Sequence, residues 1–429
     1  MTPERIELGQ GVALNLLPCD KFKTNALTID FLCPLSSDTV AENALLPYVL
    51  KRGTRRFPTR IALAREEERL YGSSIYAHFG KIGDIQFFGF SSAPLRNDYA
   101  EGNDVTMSVL GLIAEMLRDP VLENGHLSSS YVKSEKGILS DRIKAMVNDK
   151  YAYSLHRCRE EMQHGDTTPL LASGTPEQIA AVTPVRLTDR LSEVLTSCRI
   201  EVWCAGVFDR QAILETVRTL FATEVRRVSP SPTVTSFRPV LTPRRITEDQ
   251  TVKQGKLCLG FGTDIRTGHP LAPAYTLFLE ILATSPTSKL FVNVREAMSL
   301  CYYCSATPEF AKGTLILASG IENRDREKAE KAILAEIDAC RRGKIRDNEI
   351  TAAQKSIHHA LHAMNDDLGS LISWYFKRSV LGITESPLAY SERVASVTLD
   401  QLQAAAQSLI LDTVYFMNGT QTDEEDPDD

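Results

Sequence analysis

The chain has 429 residues, of which 43% are hydrophobic and 24% are charged, a composition typical of a globular protein with a well-packed core. At roughly 100–200 residues per domain, this length predicts two to four units, and two large domains are the simplest interpretation. The formal net charge is −7, with Lys and Arg scattered along the chain, which argues against nucleic acid as a partner. We find no run of about 18 apolar residues and no export signal, so we expect neither a membrane span nor secretion.

The number and the positions of the cysteines indicate the redox state of the compartment. There are nine, an odd number, and they lie in apolar runs such as Phe31-Leu32-Cys33 and Val202-Trp203-Cys204. Reduced, buried thiols are therefore expected, and a reducing cytoplasm fits best.

Hydrophobic periodicity predicts an alternation of strands and helices in the first half. The predicted elements are strands at 11–17 and 26–31, helices at 42–50 and 61–70, a hairpin at 74–92 turning near Gly83, helices at 104–117 and 126–147, a strand at 199–207 and a helix from 209. This order predicts a mixed α+β layer.

A Pro-rich segment at 227–247 disfavours helix and is interpreted as an extended linker. After it the order recurs: a strand at 256–262, helices at 272–282 and 289–298, a hairpin at 301–321 turning near Gly313, helices at 324–340 and 348–364, and a strand at 413–417. The last residues, 421–429, form an acidic tail.

The recurrence predicts an α+β fold of two homologous repeats, each a mostly antiparallel sheet packed against helices. The repeats are placed at 1–226 and 248–420, on either side of the linker. Two anchors support the register: Val182-Thr183 before Leu187 is similar to Val397-Thr398 before Leu402, and each precedes a helix and a closing strand. The alternative is two unrelated α+β domains.

One motif in the first repeat carries a resemblance to a known family. The stretch from Ala44 to Thr54 reads ALLPYVLKRGT, and it is followed by Pro58 and by the sequence Arg69-Leu70-Tyr71-Gly72. It resembles the metal-binding helix of the pitrilysin/insulinase zinc peptidases, where His-x-x-Glu-His precedes an apolar pair, a basic residue and Gly-Thr. In that family the two histidines bind zinc, and the glutamate is the general base on the bound water.

The resemblance implies that this chain has lost its metal site. Ala44 stands at the first ligand, Pro47 at the base and Tyr48 at the second ligand. Neither Ala nor Pro offers a ligand atom, and a neutral phenol is a poor zinc ligand. The third ligand, a glutamate on a later helix, is aligned with Lys133, although Glu135 stands nearby. We therefore expect no metal bound here and no catalytic residue among these four.

The second repeat also contains a stretch that resembles the family. The stretch from Ser288 to Tyr302 reads SKLFVNVREAMSLCY, and it resembles the family segment in which a helix ending in Arg-Glu runs into a strand beginning Leu-x-Tyr. The resemblance implies that Arg295 and Tyr302 hold substrate. A guanidinium can donate a forked hydrogen bond, and a phenol can donate to a developing oxyanion. The turn before this helix, 283–288, lacks the glycines that the family usually has.

Other candidate ligands do not form a recognised motif. Two helical stretches carry histidines at ligand spacing: His358 and His362, with His359 between them, and His156 with Glu160 and His164. The zincin pattern needs Glu directly after the first histidine, so we interpret the stretch with His358 as a partly solvated helix. We interpret the stretch with His156 as an exposed, charged surface. Cys301-Tyr302-Tyr303-Cys304 has no second Cys pair and is assigned to packing.

The resemblance predicts a processing-peptidase-like, non-catalytic subunit. We expect it to join a homologous metal-bearing chain, or a second copy of itself, and to hold an extended peptide while zinc in the partner supplies the chemistry. The first alternative is a structural or assembly protein with no role in proteolysis. The second is a solitary metallopeptidase with a rearranged site.

Overall fold

The structure is a computed structural model that describes residues 2–9, 11–162, 170–221, 240 and 242–420. The strands are β1 (Glu4–Gly9), β2 (Val12–Pro18), β3 (Ala26–Pro34), β4 (Ile75–Ile82), β5 (Ile85–Ser92), β6 (Leu122–Glu123), β7 (His126–Leu127), β8 (Arg199–Gly206), β9 (Arg244–Gln250), β10 (Gly255–Gly262), β11 (Tyr303–Glu309), β12 (Thr314–Ile321) and β13 (Ile410–Gly419).

The α-helices are α1 (Val40–Leu50), α2 (Arg60–Arg69), α3 (Val105–Arg118), α4 (Ser129–Asn148), α5 (Lys150–Met162), α6 (Pro176–Ala181), α7 (Pro184–Ser197), α8 (Arg210–Phe221), α9 (Ala272–Leu279), α10 (Arg326–Arg341), α11 (Asp347–Ala363), α12 (Leu368–Ser379), α13 (Pro387–Ala395) and α14 (Leu399–Gln407). Two π-helical segments, Glu280–Thr284 and Leu290–Ala297, lie between α9 and β11.

The two large sheets share a strand order, except that the first has one additional edge strand, β1. The first runs β1-β2-β8-β3-β5-β4 and the second runs β9-β13-β10-β12-β11. In each sheet one pair of neighbours is parallel, β2 with β8 and β13 with β9, and the other neighbouring pairs are antiparallel. The hairpin glycines Gly83 and Gly313 have φ of 57° and 71°, which a residue with a side chain rarely adopts. The α+β fold of two repeats, each with a mostly antiparallel sheet, is confirmed.

The chain folds into two compact units that are discontinuous in sequence. The first unit comprises Met1–Ala145, Leu170–Thr233 and Asp367–Val380, and the second comprises Met146–Pro169, Val234–Asp366 and Leu381–Asp429. The predicted division into 1–226 and 248–420 therefore differs from these units, because two helices are exchanged between them. Helix α5 comes from the first half but belongs to the second unit, and α12 comes from the second half but belongs to the first.

Helix α5 completes the core of the second unit. Cys158 and Met162 pack on the sheet through residues such as Cys258 of β10 and Tyr415 of β13. A Cβ on Gly260 would lie 2.4 Å from the Met162 sulfur, so a larger residue there would displace the Met162 side chain. The interpretation of α5 as an exposed, charged surface is therefore wrong, because only one of its faces is polar. His164, part of that interpretation, lies outside the described residues.

Helix α12 completes the first unit by aromatic packing. The buried Trp203 of β8 stacks on Tyr375 at a centroid distance of 6.4 Å, and Phe87 of β5 meets Phe376 edge to face at 5.2 Å. Large aromatic surfaces of this kind contribute strongly to core energetics.

Most of the predicted linker, and the acidic tail at 421–429, lie outside the described residues. From Arg244 the chain forms β9, which pairs in parallel with β13. Among the helices that the structure describes, none is long and apolar enough to cross a membrane.

One pair of cysteines departs from the expected reduced state. Cys33 of β3 and Cys198, which precedes β8, form a disulfide with a Cα–Cα distance of 5.7 Å. They are 165 residues apart in sequence, so only the pairing of β3 with β8 brings them together. The prediction of reduced thiols is wrong for this pair, and the compartment inferred from it loses that support. The other seven cysteines are free.

Candidate functional site

Helix α1 carries the degenerate metal motif. Every residue of α1 except Tyr48 is buried, and Ala44 has no exposed surface. Pro47 lies inside the helix, where it cannot donate a backbone hydrogen bond. Tyr48 is thus the one motif side chain of α1 that reaches the surface.

A guanidinium covers the face of Tyr48. The Tyr48 ring meets Phe79 of β4 edge to face at 6.0 Å, and the Arg142 guanidinium carbon lies 5.2 Å from the Tyr48 ring centroid. This is a cation–π contact, so a fixed positive charge lies beside the residue that replaces the second histidine. These residues do not fit a zinc ion, since Ala44 and Pro47 have no ligand atom and Arg142 would repel the metal.

Arg142, the α4 residue that faces Tyr48, was not identified from the sequence. Lys133, aligned with the third ligand, is exposed and lines a groove of about 450 Å³ that also involves Val182 and Pro184. Arg142 comes nine residues after Lys133 on the same helix, about 13 Å further along its axis. Glu135, the nearby carboxylate, is buried and accepts a hydrogen bond from Arg52 Nε at 2.5 Å.

The rest of the motif has a structural role. Lys51 pairs with Glu67 of α2, while Arg52 pairs with α4. A Cβ on Gly53 would approach the Phe57 carbonyl oxygen to 2.7 Å, so a larger residue does not fit. Buried Thr54 accepts a hydrogen bond from the Phe57 amide at 3.0 Å. The scaffold therefore orients α1 even though the ligands are absent.

The segment that carries Arg295 is a π-helix rather than an α-helix. Its wide turn is visible where the Met298 amide donates to the Asn293 carbonyl at 3.1 Å, five residues back. π-Helical segments are rare in proteins, and those that occur are frequently found at functional sites. The structure therefore corrects the helix type predicted for 289–298 while keeping its extent close to the prediction.

Two polar contacts hold this π-helix from its inner side. Buried Lys289 forms an ion pair with Glu349 of α11 at 3.0 Å, and Asn293 Nδ2 donates to Glu336 of α10 at 2.9 Å. Breaking a buried ion pair by removing one partner is strongly destabilising. The pair therefore fixes the segment on which Arg295 is displayed.

Arg295 projects from the outer side of the π-helix. Its guanidinium carbon lies 4.5 Å from the Phe291 ring centroid, and its Nε lies 3.6 Å from a carboxylate oxygen of Glu296. Its side chain is 39% exposed. Stacking on Phe291 restricts the guanidinium while leaving donors that can reach a ligand.

Tyr302 is exposed and its hydroxyl is directed by a carboxylate. Its main-chain amide donates to Gly320 of β12 at 2.9 Å, and its hydroxyl donates to Glu322 at 2.5 Å. The hydrogen bond to Glu322 raises the pKa of Tyr302. The two predicted substrate residues thus lie in the same unit but contact different neighbours. Glu322 was missed because no sequence pattern pairs positions twenty residues apart across a hairpin.

The Cys-x-x-Cys motif beside Tyr302 contains free thiols. Burial raises the pKa of both Cys301 and Cys304. Thiols of this kind are weak nucleophiles. Among the described residues, no group of three or more His, Cys, Asp or Glu side chains is placed to hold a metal ion.

Comparison with known proteins finds similarity to inactive members of a peptidase family. Residues 181–357 match the model of the peptidase M16 inactive domain. A protein of Bacillus subtilis (strain 168) called "Probable inactive metalloprotease YmfF" is 29% identical over 413 residues, 96% of each chain.

Solved structures extend the likeness to the whole fold. A conserved protein from Enterococcus faecalis V583 matches with a TM-score of 0.91 at 23% identity, covering 99% of this chain and 100% of the other. A peptidase M16 inactive domain from Pseudomonas fluorescens matches with a TM-score of 0.77 at 15% identity, covering 98% and 99%.

The fold is similar to that of solved M16-type structures, and α1 carries Ala44, Pro47 and Tyr48 at the positions that the sequence aligns with the family's zinc ligands and base. The chain is similar to the inactive members of the pitrilysin/insulinase, or M16, family of zinc peptidases, through residues 181–357 and through its 29% identity to the Bacillus subtilis protein.

Proposed function

We propose that the chain is the non-catalytic subunit of a two-chain zinc peptidase and that it holds an extended peptide through Arg295 and Tyr302. The observation that carries this proposal is an asymmetry. The motif around Tyr48 carries no residue of the family's ligand types and has a covering guanidinium, whereas the half-buried Arg295 lies on a firmly held π-helix and the exposed Tyr302 follows it. Zinc is expected in a homologous partner chain and not in this one.

The two side chains offer complementary donors. Arg295 can donate two parallel hydrogen bonds to a carbonyl or carboxylate, with its orientation restricted by Phe291. The Tyr302 hydroxyl, which donates to Glu322 in the free chain, would turn to a peptide carbonyl or to the oxyanion formed at the partner's zinc. Strand β11, which follows Tyr302 directly, lies at the edge of its sheet and could pair with an extended peptide.

The test is co-expression with a homologue that has an intact His-x-x-Glu-His motif, followed by assay of peptide hydrolysis. Arg295→Ala should reduce kcat/KM by at least tenfold, and Tyr302→Phe should reduce kcat. Arg342→Ala and Tyr99→Phe remove an exposed guanidinium and an exposed hydroxyl elsewhere and serve as matched controls. Unchanged hydrolysis by the Arg295→Ala complex, with assembly intact, would refute the proposal.

A structural or assembly role is the second candidate. Val292 and Met298, which flank Arg295, are 46% and 55% exposed, and such apolar side chains are typical of protein interfaces. In that case, Val292→Ser with Met298→Ser would abolish association with the partner, while Arg295→Ala would leave every phenotype unchanged.

A further inference from the structure

Two histidines on α11 form a pair that the proposed function does not use. His358 and His362 are one helical turn apart, both are exposed, and their ring centroids are 3.9 Å apart. Side chains four residues apart lie on the same helix face. His359, the neighbouring residue, is also exposed, and its ring centroid is 6.0 Å from that of His358.

A buried serine orients one of the two rings. Ser391 of α13 is 5% exposed, and its Oγ lies 3.1 Å from Nδ1 of His358. When Nδ1–H donates to this hydroxyl, Nε2 carries the lone pair and points away from α13. Metal-binding histidines almost always have such a partner on the second ring nitrogen, because it sets the tautomer and the ring orientation.

We propose that His358 and His362 chelate a divalent late first-row transition metal ion, such as Zn²⁺ or Ni²⁺, with water completing the coordination shell. Imidazole nitrogens are preferred ligands of these ions, at about 2.0–2.1 Å for zinc. Such bonds place the two Nε2 atoms about 3 Å apart, which rotation of the adjacent rings can reach. The site is distinct from a zincin motif, since residue 359 is His and not Glu. It therefore binds metal without acting as a peptidase centre.

The experiment is isothermal titration of the full chain, made without a polyhistidine tag and stripped with chelator, with NiCl₂ and separately with ZnCl₂. We expect one saturable site per chain. His358→Ala and His362→Ala should each weaken binding by at least tenfold, and Ser391→Ala, which removes the orienting hydroxyl, by about tenfold. His359→Ala and His269→Ala are the matched controls and should leave the affinity unchanged.

A thermal melt of each variant gives a second reading, because an ion that binds the folded state alone raises Tm. The metal should raise the Tm of the native chain and of His359→Ala but not that of the His358→Ala/His362→Ala double variant. Equal affinity in the native chain and the double variant would overturn the proposal, as would no saturable binding at millimolar metal. A loss in His359→Ala as large as in His362→Ala would also overturn the two-histidine assignment.

Discussion

Restoring the family's first two ligands and its base should not by itself restore a tight zinc site. The variant Ala44→His/Pro47→Glu/Tyr48→His would rebuild the motif on α1, and it should be made with His358 and His362 replaced by Ala. Histidine at the fully buried Ala44 is expected to cost about 1–3 kcal/mol by overpacking. Removing Pro47 from inside the helix offsets up to about 3 kcal/mol of that cost, so the variant should fold.

The remaining obstacle is Arg142. Its guanidinium lies 5.2 Å from the ring that the second histidine would replace. Between a doubly charged and a singly charged cation at that distance, the repulsion is about 1.6 kcal/mol even at the dielectric constant of water. This corresponds to about a fifteenfold loss of affinity. Adding Arg142→Glu removes the repulsion and supplies a carboxylate, so the gain should be at least fifteenfold.

Lys133→Glu in the same background is the matched control. Lys133 lies about 13 Å from Arg142 along α4 and lines the groove formed with Val182 and Pro184. Its replacement should therefore change the zinc affinity by less than about twofold. Zinc dissociation constants from competition with a chromophoric chelator would be compared, with circular dichroism to verify folding. A larger gain from Lys133→Glu than from Arg142→Glu would refute this reasoning and support the sequence alignment of Lys133 with the third ligand.

Three further predictions concern titration and stability. Glu322→Gln should lower the pKa of Tyr302, measured by ultraviolet titration, because the carboxylate that holds the hydroxyl proton is lost. For His78, burial lowers the pKa and the hydrogen bond to Asp30 at 2.7 Å raises it, with a net rise. The stability lost on His78→Asn should thus be greatest below about pH 6.5 and decline as the pH rises through the folded-state pKa, as followed by urea unfolding. Glu248→Ala should lower the free energy of unfolding by about 2–4 kcal/mol, because that carboxylate accepts hydrogen bonds from two tyrosines, one arginine and one glutamine.

The contrary results are equally specific. An unchanged Tyr302 titration would mean that the contact with Glu322 does not persist in solution. A stability difference for His78→Asn that grows with pH would contradict a raised pKa. A loss for Glu248→Ala no larger than that for Glu327→Ala, a control at an 86% exposed side chain, would mean that the network holding α5 is unimportant.

Local patterns were enough to predict the elements that bury one face. Hydrophobic residues with a period of two predict the strands, and those with a period of 3.6 predict the amphipathic helices. The recurrence of these elements predicts two repeats. These predictions are possible because the residues within each segment determine which of its faces is buried. The motif resemblance also indicates, from Ala44, Pro47 and Tyr48, that the ligand atoms are absent, since ligand chemistry depends on residue type alone.

Features that depend on the packing of distant segments required the tertiary structure. The exchange of α5 and α12 between units, the disulfide of Cys33 with Cys198, and the approach of Arg142 to Tyr48 all join residues far apart in the chain. The wide turns of the π-helix under Arg295 likewise have no periodic signature of their own. The sequence by itself therefore determined which residue types stand at the positions aligned with the family's zinc ligands, and the tertiary structure decided that a guanidinium lies beside Tyr48. Side-chain contacts of this kind follow from the relative placement of helices, which a one-dimensional pattern does not contain.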